Sequence, residues 1–421
     1  MTASAVRLSA PDFWDQDDRA IDDAFARLRR EEPISFQREV SFPPVIEEGP
    51  GYWALTRYHD VVEVTRDRDR FCSGRGITVW DWPPDLAEAF SHMLAQDAPE
   101  HTRLRRIVQR AFTSAAMHQL QPAIEAHAVA VVDEIRERGE INFVADVAAR
   151  YPVRIICEML GVPEAYHEMV AANTTEVIRV ADPALIAGAA DPQARLGQIV
   201  AAGGALAALV MELAADRRAN PRDDIISSLV NAEVAGEALD DIELTRFFIL
   251  LAVGGADTTR AALSHGMIAL SRFPDQRRAW LADFDRLAPT ASDEIVRWAT
   301  PLIHFRRTAT RDTTIGGPDG TVVAEGDKVV MYYRSANFDE QVFTDPFRFD
   351  ITRPGTPPHL SFGARGVHHC LGHHLARAQI TALFRELYTR LPDIEMSGDP
   401  VSEPGSQVHG IADVPCTFTP A

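Results

Sequence analysis

Cysteine and positive charge are both scarce in this chain, and each scarcity excludes a class of protein. The 421 residues include four cysteines, Cys72, Cys157, Cys370 and Cys416, which are scattered without a pairing pattern. No disulfide framework is indicated, so we expect a reduced, cytoplasmic protein. Lysine and arginine total 42 against 61 acidic residues, which gives a formal net charge of -19. That excess argues against nucleic acid or an anionic membrane as a partner.

Long hydrophobic runs are also lacking. The longest apolar segment, 199–213, is mostly alanine and glycine and contains Glu212. It is too short and too weakly hydrophobic to cross a bilayer, so we expect no stable membrane anchor. Residues 1–18 are polar and acidic and show no signal peptide.

The pattern that is present is mainly helical. Helical periodicity dominates about residues 98–300, whereas about 34–60 and 305–420 are richer in strand and turn signals. The longest predicted helix runs from Asp241 to Arg272, with Asp240 as its N-cap and Pro274 after its end. It would be roughly 48 Å long, enough to cross the whole molecule. The sequence therefore predicts a mainly α protein with small sheets, as one large fold or two subdomains.

The most distinctive stretch lies between Pro358 and Arg377. It reads PHLSFGARGVHHCLGHHLAR, a glycine-punctuated loop that leads through Cys370 into a predicted helix. Backbone N–H groups at a helix N-terminus favour a thiolate, and a caged thiolate is what a haem iron that cleaves O–O bonds needs as its axial ligand. On this stretch alone, two other interpretations stay open: a buried structural cysteine, and a zinc site that uses the neighbouring histidines.

Two adjacent glycines interrupt the longest predicted helix, just before an acid and an alcohol. Gly254 and Gly255 each cost roughly 1 kcal/mol relative to alanine inside a helix, so a compensating role is expected. Without Cβ atoms, a flat cofactor or a small ligand could lie against the backbone. Asp257 and Thr258 follow and have the groups of a proton relay. The alternative is a helix kink beside a solvated aspartate.

A possible buried ion pair lies in the next predicted helix. Glu294 and Arg297 are three residues apart on one helical face, within an otherwise apolar segment. A buried pair needs further hydrogen bonds, and Arg348 is the predicted third member of the network.

A second group of basic residues begins with His101 and Arg105, four residues apart in an arginine-rich segment. One interpretation is a solvated basic face. The other is a binding site for carboxylates, to which Arg307 and His368 would contribute further donors.

Together, these motifs make the chain resemble a bacterial cytochrome P-450, a soluble haem-thiolate monooxygenase. The resemblance covers nearly the whole chain, and the motifs come in the family's order and at its distances. It implies one catalytic domain over residues 1–421, with a prism-shaped fold that holds haem b between the long central helix and the helix after the cysteine loop. One departure is that Phe362 lies eight residues before Cys370, where the family usually has seven.

The resemblance also implies roles for individual residues. Cys370 is the expected iron ligand, Asp257 and Thr258 are the expected acid–alcohol pair, and Gly255 and Phe362 are expected beside the haem. The residues expected to bind the propionates are His101, Arg105, Arg307 and His368. The residues expected to form the structural network are Glu294, Arg297 and Arg348.

The implied activity is insertion of one atom of O2 into an unactivated C–H bond of an apolar substrate. The segment 97–108 and the cysteine loop are similar to those of actinobacterial members that oxidise chain ends of methyl-branched lipids, fatty acids or sterol side chains. The pocket residues expected by analogy are Trp80, Trp82, Phe90, Val253, Leu302 and Phe305. The alternative within the family is tailoring of macrolides or terpenoids, and the alternatives outside it are a non-catalytic haem sensor or carrier and a zinc hydrolase.

Electrons are expected to arrive from outside, because no reductase segment is recognisable in the chain. The resemblance implies transfer from NAD(P)H through a ferredoxin reductase and a ferredoxin. An acidic ferredoxin would need a local basic patch on this acidic protein. The candidate residues for that patch are Arg103, Arg106, Arg110 and Arg365.

Overall fold

The computed structural model describes residues 4–43, 45–89, 91–231 and 238–421. Helices account for 54% of the structure, which confirms the mainly α prediction. The helices are α1 (Pro11–Trp14), α2 (Asp18–Glu31), α3 (Tyr58–Arg66), α4 (Pro84–Ala89), α5 (Glu100–Val108), α6 (Ser114–Ile135), α7 (Arg150–Leu160), α8 (His167–Ile178), α9 (Pro183–Ala187), α10 (Pro192–Ala219), α11 (Ile225–Val230), α12 (Asp241–Arg272), α13 (Pro274–Ala282), α14 (Phe284–Ala299), α15 (Tyr333–Ala336) and α16 (His373–Arg390).

Short strands lie mainly at the two ends of the chain. They are β1 (Ile34–Gln37), β2 (Tyr52–Leu55), β3 (Phe71–Cys72), β4 (Glu140–Asn142), β5 (His304–Ala309), β6 (Thr313–Ile315), β7 (Thr321–Val323), β8 (Lys328–Tyr332), β9 (Glu395–Met396), β10 (Val401–Ser402), β11 (Ile411–Asp413) and β12 (Pro415–Thr417). Most of them fall in the two regions predicted to be β-richer, although α15 and α16 also lie in the second region and β3 and β4 lie outside both.

The largest sheet has the strand order β1-β2-β8-β5-β3. β2 and β8 are parallel, with Tyr52 opposite Lys328, while the other neighbours are antiparallel. Phe305 in β5 is opposite Met331 in β8, which fixes where the β5 side chains lie. The remaining small sheets pair β10 with β11, β6 with β7, and β12 with both β4 and β9.

The long helix α12 is the element around which the helical part packs. Its bounds match the prediction, because Asp240 and Glu243 form a capping box at its start and Pro274 opens α13 just after its end. The helix contacts α7, α8, α10 and α14. Its buried side chains belong to the largest hydrophobic cluster of the described residues.

The cysteine loop leads into α16, as expected. Gly372 precedes the first helical residue, His373, so Cys370 stands in the loop shortly before the helix. α16 packs against α6 and α14 and also contacts α12. The loop is thereby held beside the glycine-containing part of α12.

Two helices, α10 and α12, have the length and apolar composition that a membrane span requires. In α12, 56% of the apolar window is buried inside the protein, which is typical of a core helix; in α10 the share is 39%.

Candidate active site around Cys370

One cavity, with mostly apolar walls, brings together motifs that are far apart in sequence. Its walls include Cys370 and Phe362 from the cysteine loop, and Gly254, Gly255 and Thr258 from α12. The predicted ligand and the predicted alcohol therefore share one enclosed space. The packing of α12 and α16 builds this space, which neither motif could specify alone.

The thiol of Cys370 faces the cavity and is shielded from bulk solvent. The backbone N–H of Cys370 donates to the carbonyl of Phe362 at 2.9 Å, which closes the loop around the cysteine. Burial raises the pKa of the Cys370 thiol, while the Gly372 backbone N–H and then the Arg105 and Arg377 side chains oppose that rise. A bound metal cation deprotonates a coordinating thiol, so these donors suit a thiolate that is completed by iron.

The longer spacing between Phe362 and Cys370 is absorbed by a left-handed turn. Gly363, Ala364 and Arg365 have φ of 88°, 49° and 58°, an uncommon conformation for the two non-glycine residues. Arg66 at the end of α3 holds the turn, because its Nε donates to the Ala364 carbonyl at 3.0 Å. Phe362 thus keeps its place on the cavity wall, as the sequence predicted.

Arg105 and Arg307 both line the cavity, and no described residue neutralises their charges. In the described part of the chain, no carboxylate lies within ion-pair distance of either guanidinium. Arg105 donates to the His369 carbonyl at 2.6 Å, and Arg307 donates to the Arg306 carbonyl at 2.8 Å. Burial lowers the pKa of both groups, which is the mark of cations held out of water. Such a pair calls for an anionic ligand.

The two predicted histidines lie together beside these arginines. The ring centroids of His101 and His368 are 4.1 Å apart, and Nε2 of His368 lies 3.0 Å from Oγ of Ser73. Nε2 of His101 and Nδ1 of His368 are buried and have no hydrogen-bond partner among the described residues. Burial lowers the pKa of His101 to about 4 and that of His368 to about 2. His368 lines the cavity, whereas His101 packs against it and is not part of the wall.

These observations test whether haem fits the site. Two unpaired arginines and two imidazoles with unfilled nitrogens match the two carboxylates of a haem, and Cys370 supplies the axial thiolate. The donor set therefore fits haem, and Arg105, Arg307 and His368 would hold its propionates.

Thr258 and Asp257 are adjacent in sequence but face different surroundings. The Thr258 hydroxyl lines the cavity and donates to the Gly254 carbonyl at 2.5 Å, which leaves its oxygen free to accept a hydrogen bond. Asp257 is 2% exposed, is not on the cavity wall, and lies 3.2 Å from Nη2 of Arg260. Burial raises the pKa of Asp257 to about 6, although Arg260 opposes the rise. Arg260 also binds the half-buried Glu403 at 2.8 Å, which links Asp257 to the surface.

The two glycines of α12 serve different purposes. A Cβ on Gly254 would meet open space, so this position leaves room in the cavity. A Cβ on Gly255 would lie 2.3 Å from Cδ1 of Ile156 in α7, so its absence permits close helix packing. The predicted reason for Gly255 was wrong in this respect: its backbone lines the cavity, but the missing side chain makes room for Ile156.

Glu294 and Arg297 form the buried pair that the sequence predicted. Nε and Nη2 of Arg297 lie 2.7 Å and 2.8 Å from the two carboxylate oxygens, and both side chains are at most 2% exposed. The third member is Arg353, whose Nε donates to Oε2 of Glu294 at 3.1 Å. The prediction for Arg348 was wrong, because its side chain is 59% exposed and reaches Asp275 at 3.4 Å.

The physical reason for this change lies in the backbone near Asp350. Its N–H donates to Oε1 of Glu294 at 2.9 Å, which anchors the loop there and brings the later arginine over the carboxylate. Both arginines follow the same Asp-Pro pair at short spacing, so the sequence alone did not distinguish them.

The predicted pocket residues have mixed outcomes. Leu302 and Phe305 line the cavity. Trp80 does not, because its buried indole donates to the Val40 carbonyl at 3.2 Å and packs against Phe42 in the N-terminal core. Trp82 packs against that same cluster, and Val253 packs against the main core. Phe90 lies outside the described residues.

The sequence analysis missed several apolar wall residues. They are Met93, Leu94, Phe112, Ile156, Met159 and Phe247. Phe247 lies seven and eleven residues before Gly254 and Thr258, a helical spacing that could have found it. The residues of α7 carry no such local signal, since only packing against α12 brings them to the cavity.

The histidines on either side of Cys370 have structural contacts. Nδ1 of His373 lies 2.9 Å from the Cys370 carbonyl, and Nε2 of His359 lies 3.5 Å from Asp293. Within the described ranges, no group of three or more histidine, cysteine or acidic side chains is arranged to hold a metal ion. This arrangement does not support the zinc interpretation.

A cysteine that lines the same cavity as a helix bearing an alcohol, beside two unpaired cations, defines the site of a haem-thiolate protein. A family profile described as Cytochrome P450 matches residues 51–390. The chain belongs to the cytochrome P450 family, and it is a monooxygenase of that family. The family implies haem iron and the use of O2.

Similar proteins cover the chain almost end to end. A methyl-branched lipid omega-hydroxylase of Mycobacterium tuberculosis is 43% identical over 98% of this chain and 95% of its own length. A steroid C26-monooxygenase of Mycolicibacterium smegmatis is 36% identical over 94% of this chain and 90% of its own. A cytochrome P450 of Mycobacterium marinum, solved in complex with pseudoionone, has a TM-score of 0.91 and 42% identity and covers 99% of both chains. These matches confirm the predicted fold and family.

Proposed function

We propose that this monooxygenase hydroxylates the chain end of a methyl-branched lipid, a fatty acid or a sterol side chain. The observation that carries the proposal is the chemistry of the cavity walls. Apart from Thr258 and Thr259, the walls that α7 and α12 supply, together with Met93, Leu94 and Phe112, are aliphatic, methionine and aromatic side chains. Such walls favour an apolar chain and give no hydrogen-bond partners for the many hydroxyls of a macrolide. The names of the two similar lipid and steroid enzymes support the same substrate class.

When bound, haem supplies the O2 activation and oxygen insertion that no side chain can perform. Cys370 would ligate its iron, and the cations around Arg105 would hold its propionates. Thr258 would hold a proton-donating water through its free oxygen lone pairs, because its own proton is committed to the Gly254 carbonyl. Asp257, with a pKa raised to about 6, would exchange protons near neutral pH, and Arg260, which also pairs with Glu403, would hold it in place.

Product analysis tests the substrate class. Purified holoenzyme is supplied with reductase, ferredoxin and one of three probes: a long-chain fatty acid with a terminal methyl branch, the unbranched acid of equal carbon number, or a macrolide. We expect hydroxylation at the branched chain end, lower turnover of the unbranched acid, and no macrolide product. If the enzyme oxidised the macrolide and neither fatty acid, the function would be macrolide tailoring and not lipid hydroxylation.

We also infer that a ferredoxin, supplied by an NAD(P)H-dependent reductase, delivers the electrons. Arg365 is exposed in the turn that leads to Cys370, which suits a docking cation close to the haem ligand. Arg106 is exposed, whereas Arg103 is already paired with Glu100 and Glu243. The side chain of Arg110 lies outside the described residues. Arg365→Glu should raise the KM for ferredoxin and leave substrate binding unchanged. If the variant and the unsubstituted enzyme had the same KM for ferredoxin, Arg365 would not belong to the docking face.

We propose that residues 1–421 act as one catalytic domain located in the cytoplasm. Residues of the cysteine loop, α12 and β5 line the cavity. The helical region and the β-richer region of the chain therefore contribute to one site. Fractionation of the native host would test the location: activity in the membrane pellet after a salt wash would contradict it.

A further inference from the structure

The cavity-lining face of α12 continues toward the N-terminus of the helix and ends at an arginine. Phe247, Leu250, Gly254 and Thr258 lie on this face, and Arg246 extends it by one position. A small adjoining pocket contains Arg246 and shares Met93 and Phe247 with the main cavity. A charged group thus stands at the end of an otherwise apolar passage.

Within the described residues, nothing neutralises the charge of Arg246. Its Nη2 donates to the Glu88 backbone carbonyl at 2.9 Å, and no carboxylate among the described residues is within ion-pair distance. Glu243 lines the same small pocket, but its Oε1 is bound by Arg103 and its Oε2 accepts the Asp240 N–H at 3.1 Å. Among the described residues Arg246 therefore has no anionic partner, although the protein has a net charge of -19.

Two neutral polar groups share this small pocket. Burial lowers the pKa of His92 to about 4, so its ring is neutral near pH 7. Nδ1 of His92 accepts the Leu94 N–H at 3.3 Å, so the ring proton sits on Nε2 and is available for donation. Oε1 of Gln96 is buried and has no partner within the described ranges; it is an acceptor, so it contributes no donor to an anion. The pocket therefore holds a cation, Arg246, and one neutral donor, the His92 ring N–H, which is the chemistry that recognises a carboxylate.

The spacing along α12 relates this pocket to the reaction site. Arg246 and Thr258 are 12 residues apart, which corresponds to roughly 18 Å of helix. That distance suits a long acyl chain, and the walls between the two positions are apolar. A chain held by its head group at Arg246 would present its far end to Thr258 and Cys370.

We propose that Arg246, with His92, binds the carboxylate of a long-chain fatty acid, so that the opposite end of the chain is oxidised. This proposal rests on the proposed function and narrows it from lipids in general to free acids. It also gives a reason for oxidation at the chain end, because the head group is fixed at the other end of the cavity.

The test uses holoenzyme and three probes of equal chain length: hexadecanoic acid, its methyl ester and hexadecan-1-ol. The change in haem absorption on adding each probe measures its binding affinity, at pH 8, where hexadecanoic acid is ionised. We expect the unsubstituted enzyme to bind the acid about 10-fold to 100-fold more tightly than the ester, the range for a charged hydrogen-bonded pair. Arg246→Gln should bring the acid to the affinity of the ester, and Arg246→Lys should keep most of the preference.

Arg272→Gln is the matched control, because it makes the same change at an exposed position at the other end of α12 and should alter none of the affinities. An acid-to-ester ratio that Arg246→Gln leaves unchanged would overturn the site. An equal loss for all three probes would also overturn it, since Arg246 would then only hold α4 over the cavity. If the unsubstituted enzyme bound none of the three probes, lipid hydroxylation itself would be overturned. If it bound the acid and the ester equally well, only the head-group site would be rejected.

Discussion

Nε of Arg353 lies 3.1 Å from Oε2 of Glu294, and these two side chains are 11% and 1% exposed. Arg353 also donates to the carbonyls of Thr344, Asp345 and Arg348, so one guanidinium joins the buried carboxylate to the surrounding loop. The contact identifies which of two nearby arginines supports the network beneath the cysteine loop.

Arg353→Ala should destabilise the protein, because it removes a charged hydrogen bond from a buried carboxylate. We expect a loss of about 1.5–3 kcal/mol in the free energy of unfolding. Arg348→Ala is the control, and a change within about 0.5 kcal/mol is expected for its exposed side chain. Denaturant unfolding of the two variants measures both values, and a larger loss in Arg348→Ala would contradict the network.

Neighbouring arginines of β5 should respond in opposite ways to the same substitution. Arg307 is buried without a carboxylate partner, so Arg307→Met should raise the melting temperature of the haem-free protein and weaken haem binding. Arg306 is paired with Asp81 at 2.5 Å, so Arg306→Met should lower that melting temperature. Calorimetry of apoprotein and haem transfer to apomyoglobin measure the two effects. Unchanged haem retention in Arg307→Met would show that its charge does not hold a propionate.

Cys370→His should remove the strongly red-shifted absorption band of the reduced, CO-bound protein, because imidazole would replace the thiolate on iron. Cys72→Ser is the control and should keep the band. Retention of the band in Cys370→His would transfer the ligand role to another cysteine.

Thr258→Ala should separate electron consumption from product formation. The variant lacks the hydroxyl that would order the proton-donating water, so NAD(P)H is still consumed while hydrogen peroxide is released. General acid–base groups contribute about 10²–10⁴-fold, so a large fall in product per NAD(P)H is expected. The ratio of product, peroxide and NAD(P)H measures the coupling. Thr259→Ala is the matched control, and equal coupling in both variants would place the proton route elsewhere.

Asp257→Asn should change the pH dependence of stability in a defined direction. Burial raises the pKa of Asp257 from 3.8 to about 6, so the folded state binds this proton more tightly than the unfolded state. Its stabilising contribution is complete below pH 3.8 and is lost as the pH rises through 6. The unsubstituted protein should therefore lose on the order of 3 kcal/mol across that window relative to Asp257→Asn.

Unfolding at pH 4 and at pH 7.5 measures this difference. A stability gap between the two proteins that does not change with pH would show that Asp257 has an ordinary pKa. The same substitution should slow turnover, since asparagine cannot exchange the proton.

The sequence by itself determined the features that depend on neighbours along the chain. Asp240 and Glu243 cap α12, and Pro274 follows its end, because a cap hydrogen-bonds to residues three positions away. The cysteine motif likewise gave Cys370 and the start of the following helix. The pairing of Glu294 with Arg297 needed only the geometry of one helical turn.

The tertiary structure decided the features whose partners come from distant segments. Arg353 rather than Arg348 reaches Glu294, because a backbone N–H at Asp350 anchors the loop on that carboxylate. Trp80 belongs to the N-terminal core and Met93 to the cavity, although both lie in one stretch between β3 and α5. Side-chain direction in such a stretch is set by whatever packs against it, and residues hundreds of positions away supply those contacts.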